Sequence, residues 1–157
     1  MILGATDRTA LTDLVHRYAA GVDDRQFNSV AELFTDTAEL LLPEPPAALD
    51  PVHRHCGHAA IHTAIAAVAA TIRTEHAIVG EVFDAGLQPD SARGRIACVA
   101  HHWSQYGDQL TDVVWHLRYD DEYRRTDAGW RIAHRVLTIN AIETRPVRRL
   151  RFEGPSE

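Results

Sequence analysis

Residues Ala92–Ile142 read ARGRIACVAHHWSQYGDQLTDVVWHLRYDDEYRRTDAGWRIAHRVLTINAI, and this stretch decides the fold. β-Branched and aromatic residues recur through Arg95–Tyr106, Thr111–Arg124 and Trp130–Ile142. Turn chemistry separates these runs at Tyr106-Gly107-Asp108 and Thr126-Asp127-Ala128-Gly129, so three long antiparallel strands are predicted. In the middle run Val113, Trp115, Leu117 and Tyr119 alternate with His116, Arg118 and Asp120, which gives the sheet one face built to be covered. Long strands twist and curl. A curled sheet with helices over its concave face encloses a volume, and that volume is where function is sought.

Working outward, Asp7–Val22 carries Leu11, Leu14, Val15, Tyr18, Ala19 and Val22 at the spacing of an amphipathic helix, with Thr6 or Asp7 placed to cap it. A shorter helix is predicted over Phe27–Phe34 and a strand over Thr37–Leu42, ended by Pro43-Glu44-Pro45-Pro46. The following stretch to Gly57 reads as an irregular loop. His58–Arg73 is alanine-rich, with Ile61, Ile65, Val68 and Ile72 on one stripe, and predicts a third helix. Thr74–Leu87 then opens the sheet as a strand, turned by Gln88-Pro89-Asp90-Ser91 into the three long runs. The expected fold is α+β: a cone-shaped, curved antiparallel or mixed sheet whose concave face is covered by three N-terminal helices. The core spans about 7–142, and 143–157 reads as a tail.

At 157 residues and 45% hydrophobic content, the chain fits one domain with a real core. A formal charge of −6 and a pI of about 5.9 argue against nucleic-acid or anionic-membrane partners. Arg145, Arg148, Arg149 and Arg151 cluster near the C-terminus and read as a solvated tail or an inter-subunit contact. Two cysteines, Cys56 and Cys98, make no disulfide framework, and no basic start precedes an apolar leader, so a reducing cytoplasm is expected. No apolar run approaches the roughly 20 residues of a membrane span. Val114, Ala100 and Cys98 are read as apolar surface opposite the pocket, which predicts a homodimer or otherwise a homotrimer.

Among the residues that could carry chemistry, Asp23 stands where the first helix ends and opposes the helix dipole, so it needs a cationic or hydrogen-bonding partner. His76 opens a strand, while His101-His102 lies mid-strand, where alternation turns one imidazole inward and the other outward. An inward imidazole beside a carboxylate is proton-transfer apparatus near neutral pH. His53-Arg54-His55-Cys56-Gly57-His58 with His62 also admits a metal reading, weakened by the arginine within it and the lack of a second cysteine. Nucleophile elbows, phosphate loops and dinucleotide fingerprints are missing.

The order of elements and several strings resemble the nuclear-transport-factor-like superfamily, and within it the SnoaL-like group of scytalone dehydratase, bile-acid dehydratase and polyketide cyclases. These strings are Arg17-Tyr18-Ala19-Ala20 with Asp23, Ala31-Glu32-Leu33-Phe34, Arg73-Thr74-Glu75-His76 ahead of Ile78-Val79-Gly80, Val99-Ala100-His101 and Gly129-Trp130-Arg131-Ile132. The resemblance implies that Asp23 matches the family aspartate that pairs with a histidine, that His101 is that histidine, and that His76 is the second catalytic one. It puts Tyr18 where steroid isomerases hold a carbonyl oxygen, and Tyr119 where scytalone dehydratase has a polar substrate-binding residue. The two water-holding tyrosines of scytalone dehydratase correspond to Val22 and Leu42, and Leu42 also replaces the base aspartate of the steroid isomerases.

The resulting expectation is a lyase or isomerase that needs no cofactor and no metal. It would act on a small apolar carbonyl compound of polyketide, steroid or terpenoid type. His101 would be the base, oriented by Asp23, and His76 the acid or positioning donor. Tyr18 and Tyr119 would hold oxygens, and Trp115, Leu117, Phe34, Leu42 and Trp103 would shape the pocket. The alternative is a module of the same fold that binds a small molecule, or serves as an accessory subunit, without catalysis.

Overall fold

The computed structural model of the chain describes residues 2–152. Its elements run α1 (Ala5–Asp23), α2 (Phe27–Ala31), β1 (Phe34–Glu44), β2 (Ala48–Cys56), α3 (Gly57–Ala66), a 3₁₀ turn (Ala67–Ala70), β3 (Arg73–Ala85), β4 (Ser91–Tyr106), β5 (Gln109–Thr126) and β6 (Gly129–Val147). The strands form one sheet in the order β2-β1-β6-β5-β4-β3, in which β1 pairs parallel to β6 and the other neighbours are antiparallel. The fold is therefore the expected α+β cone, with a mixed, curved and unclosed sheet. Register shifts leave one extra residue in β3, Val79, and two in β6, Asn140 opposite His116/Leu117 and Ala133 opposite Glu122/Tyr123, which adds local twist and bends the long strands around the helices.

α1 buries the anticipated stripe, Leu11, Leu14, Val15, Tyr18, Ala19 and Val22. It lies along β3, where Arg8 Nη1 donates to the Phe83 carbonyl at 2.8 Å and Thr12 Oγ1 donates to Glu81 Oε1 at 2.7 Å. A Cβ at Gly21 would come within 2.5 Å of Val30 Cγ2, so this glycine is what lets α2 cross so closely. The helix is not capped by Thr6 or Asp7. Gly4 is the N-cap, and the Asp7 carboxylate instead accepts bonds from Arg125 and from Trp130 Nε1.

Several boundaries move for identifiable reasons. α2 stops at Ala31 because Phe34 is drawn into the parallel pairing with Ile132. The expected loop before Gly57 is instead β2, an edge strand with no fully buried residue, so it has no alternation to betray it. The third helix ends at Ala66, and Arg73 already pairs with Trp103. The expected tail from 143 belongs to β6 as far as Val147, and 153–157 lies outside the described residues.

Cys98 and Ala100 do not face away from the pocket. They share the buried face of β4 with Ile96 and His102, opposite Leu117 and Trp115. Val114 points the other way but is itself fully buried. The exposed apolar side chains of β3 are Val79 and Val82. No helix among the described residues is long and apolar enough to cross a membrane.

Candidate active site

Asp23 ends α1, and its carboxylate is spent on β3. Oδ1 accepts from His76 Nδ1 at 2.7 Å and from Thr74 Oγ1 at 2.9 Å, while Oδ2 accepts the His76 backbone N–H at 2.8 Å. Burial pushes the Asp23 carboxyl up, but the bonds from the His76 ring, the His76 backbone and Thr74 together outweigh it and hold the group below its ordinary range. Because Nδ1 of His76 is committed to Asp23, Nε2 is the nitrogen left for a ligand, and the ring lines a cavity.

The second imidazole at this cavity is His102. Its Nδ1 donates to the Val113 carbonyl at 2.9 Å, its backbone N–H donates to Asp112 Oδ1 at 3.2 Å, and its ring packs 4.3 Å from that of Trp115. Burial pushes its pKa down, with help from the nearby His76 and His101, against the opposing pull of the Val113 carbonyl and Asp112. The imidazole is thus held neutral. The two ring centroids are 6.1 Å apart.

The cavity has a volume of about 370 Å³, within the range of small-molecule sites. Tyr18, Leu42, Trp115, Leu117 and Tyr119 line it, together with Val22, Leu40, Val113 and Leu137. α3 and the 3₁₀ turn add Ala64, Ile65, Ala67 and Val68, and the remaining polar atoms come from Thr71, Ser104 and Tyr106. Behind the two tyrosines stands Arg135, fully buried, with its guanidinium carbon 4.2 Å from the Tyr18 centroid and 4.1 Å from that of Tyr119. Its Nε and Nη2 donate to Asp121 at 2.8 and 2.7 Å, and Tyr123 donates to the same carboxylate at 2.5 Å. Burial pushes the Tyr18 and Tyr119 hydroxyls up, which keeps them protonated donors.

Three anticipated site residues lie elsewhere. His101 does not pair with Asp23: it faces the convex side, bonds Asp112 Oδ2 through Nδ1 at 2.6 Å and stacks on Trp103 at 5.3 Å. Trp103 is not in that cavity but lines a separate crevice with Asp23, Arg73, Thr74 and Glu75. Phe34 is core, edge-on to Tyr18 at 6.0 Å, and does not reach the cavity. The two histidines of α3 also diverge, His58 bonding the Phe34 carbonyl while His62 packs against Phe27.

Sequence reasoning missed Thr74, Asp112, Asp121 and Arg135. Asp121 had a signal, since it continues the inward alternation from Val113 to Tyr119. Thr74 and Asp112 had none, because they act through partners distant in the chain, Asp23 of α1 for Thr74 and the His101-His102 pair of β4 for Asp112.

Comparison with known proteins agrees with this architecture. The profile of the SnoaL-like domain matches residues 4–136. No curated protein matches the chain. Among solved structures, a candidate scytalone dehydratase from Novosphingobium aromaticivorans superposes with a TM-score of 0.74 at 19% identity, covering 97% of this chain and 96% of that one. A hexachlorocyclohexane dehydrochlorinase from Novosphingobium barchaimii gives 0.72 at 20% identity, with 96% of each chain covered. An NTF2-like protein with a cystatin-like fold, from Novosphingobium aromaticivorans, gives 0.63 at 22% identity, covering 86% of this chain and 82% of that one. At these identities the likeness is one of fold, whereas the profile spans most of the sequence: the chain belongs to the SnoaL-like domain family.

Proposed function

We propose that the protein is a cofactor-independent lyase or isomerase in which His76, oriented by Asp23, exchanges a proton with a small, largely apolar carbonyl compound. The observation that carries this reading is the 2.7 Å bond from His76 Nδ1 to Asp23, made by a ring that lines an otherwise apolar cavity. Such a bond fixes the tautomer and stabilises the imidazolium that forms when Nε2 takes a proton from carbon next to a carbonyl. His102, neutral and committed to Val113 through Nδ1, offers its own Nε2 6.1 Å ring to ring from His76, as a second acceptor for a substrate hydroxyl. Tyr18 and Tyr119 supply protonated hydroxyls for oxygen atoms. The His76 imidazolium then returns that proton, to the departing hydroxyl for loss of water or to a second carbon for a double-bond shift, on a polyketide-, steroid- or terpenoid-like molecule. Dehydratase and dehydrochlorinase neighbours on the same fold support a lyase reading.

The test is a mass-spectrometric screen of carbonyl-bearing apolar alcohols for loss of water or isomerisation, repeated with His76→Ala. Turnover that survives in the folded variant rejects this mechanism and leaves ligand binding without catalysis as the better reading.

A further inference from the structure

The geometry points to Arg25 as a positioning residue that acts through Thr74 on Asp23. This inference deepens the reading above and rests on its assignment of Asp23 and His76. α1 ends in a Schellman turn, in which Gln26 N–H bonds the Gly21 carbonyl at 2.8 Å and Arg25 N–H bonds that of Val22 at 3.1 Å. Arg25 occupies the left-handed position of that turn, with φ of 60°, where glycine is the ordinary residue. A long, β-carbon-bearing side chain is held there against its backbone preference, and strain of that kind marks a side chain with a task.

The task is visible in its contacts. Nη1 donates to Thr74 Oγ1 at 3.0 Å, and Nη2 reaches the Thr71 carbonyl and hydroxyl oxygens at 3.3 and 3.2 Å. A guanidinium only donates, so the Thr74 oxygen must accept from Arg25 and point its own hydrogen at Asp23 Oδ1, 2.9 Å away. That is the same oxygen that accepts from His76. Arg25 thereby completes a one-directional three-link chain, in agreement with the acceptor-only carboxylate at its far end, and polarises its middle member. The same fork holds Thr71, a wall residue of the cavity, so one cation sets both the carboxylate and the adjoining wall.

Among the described residues, the other charged or titratable groups around Asp23 include its neighbour Asp24, Arg73, Glu75 and His76 of β3, Cys98 and His102 of β4, and Arg151 beyond β6. None of them sits between Arg25 and Thr74 in the bonds described, which makes a cycle of substitutions informative.

The experiment follows the carboxyl carbon of Asp23 by ¹³C NMR against pH, in the full chain, for the wild type, Arg25→Gly, Thr74→Val and the double variant. Glycine suits the left-handed turn, so Arg25→Gly should fold, as circular dichroism and a melt will show. Arg25→Asn, which also tolerates that conformation, serves as a second replacement. The expected result is an upward shift of the Asp23 titration in Arg25→Gly, largely lost when the same change is made on Thr74→Val. Equal shifts in the two backgrounds would mean a through-space charge only and overturn the proposal, as would no shift. Because the readout needs no substrate, its outcome is independent of whether the lyase reading survives.

Discussion

Nδ1 of His76 lies 2.7 Å from Oδ1 of Asp23, whereas the nearer-sounding candidate His101 spends its own Nδ1 on Asp112 across the sheet. Among the described residues these two hydrogen-bonded His–Asp pairs lie on opposite faces of the sheet, and of their two rings only that of His76 is in the cavity. Substitution separates them. His76→Ala and Asp23→Asn should each lower turnover by about 10²–10⁴-fold. His101→Ala should leave it within about twofold, since that ring faces away from the cavity. Steady-state kinetics on one substrate, with folding checked by circular dichroism, makes the comparison; a large loss in His101→Ala alone would reverse the assignment.

His102 should give the protein a pH-dependent stability with a definite sign. Its pKa is depressed in the folded state, chiefly by burial. The unfolded chain therefore takes up the proton first as the pH falls below the ordinary histidine value of about 6.5, and stability drops from there down to the folded pKa. Thermal melts between pH 8 and pH 5 should show this decline. It should flatten in His102→Asn, whose amide can still donate to the Val113 carbonyl.

Asp23 contributes with the opposite kind of group. Its folded carboxyl is held low, so the stabilisation is complete at neutral pH and is lost as the pH falls through the folded value, below the ordinary aspartate range. Asp23→Asn should remove that acid-side loss while leaving the decline due to His102 in place. A melt series carried below pH 4 resolves the two.

The ion pair between Arg135 and Asp121 has both side chains fully buried. Removing one partner strands a charge, so Asp121→Asn and Arg135→Met should each cost about 3–5 kcal/mol. The double replacement Asp121→Leu with Arg135→Met should recover most of that loss, because neither charge then remains to be desolvated. Urea unfolding monitored by tryptophan fluorescence measures all three.

Self-association is expected through the exposed apolar side chains of β3. Val79 and Val82 are 64% and 60% exposed, and a patch of this kind favours a covering surface. Light scattering should report two, or otherwise three, chains per particle, and Val82→Glu should reduce the mass. A wild-type monomer at micromolar concentration would count against the idea.

The sheet and α1 were legible in sequence because both carry strong periodicity: every inward residue from Val113 to Tyr119 is where alternation puts it. β2 was not, since an exposed edge strand has no buried face to imprint a pattern. The choice between His101 and His102 was in fact recoverable. Gly107, with φ of 59°, and Asp108 make a two-residue turn joining Tyr106 to Gln109, and counting back from it sets His102 opposite Val113. Val113 points inward, so His102 does too. The partner of Asp23 was not recoverable by such counting, because it depends on how far the end of α1 reaches over β3. Nor was Arg135, whose inward position follows a shift of register at Glu122/Tyr123 that nothing in the local sequence announces.

The cavity wall opposite the sheet is made largely of small side chains, Ala64, Ala67 and Val68, on a segment that carries neither imidazole. Chemistry and capacity are therefore housed on separate parts of the chain. The strands and α1 hold the two histidines and two tyrosines in a packed frame that tolerates little change, while the segment from α3 into the 3₁₀ turn sets the room available by how much it leaves unfilled. A single enlargement there, from alanine to leucine, would shorten the acceptable guest without moving a proton donor or acceptor. Relatives that share this division of labour could diverge in what they admit through a few residues of one short helix, with the reacting groups left untouched.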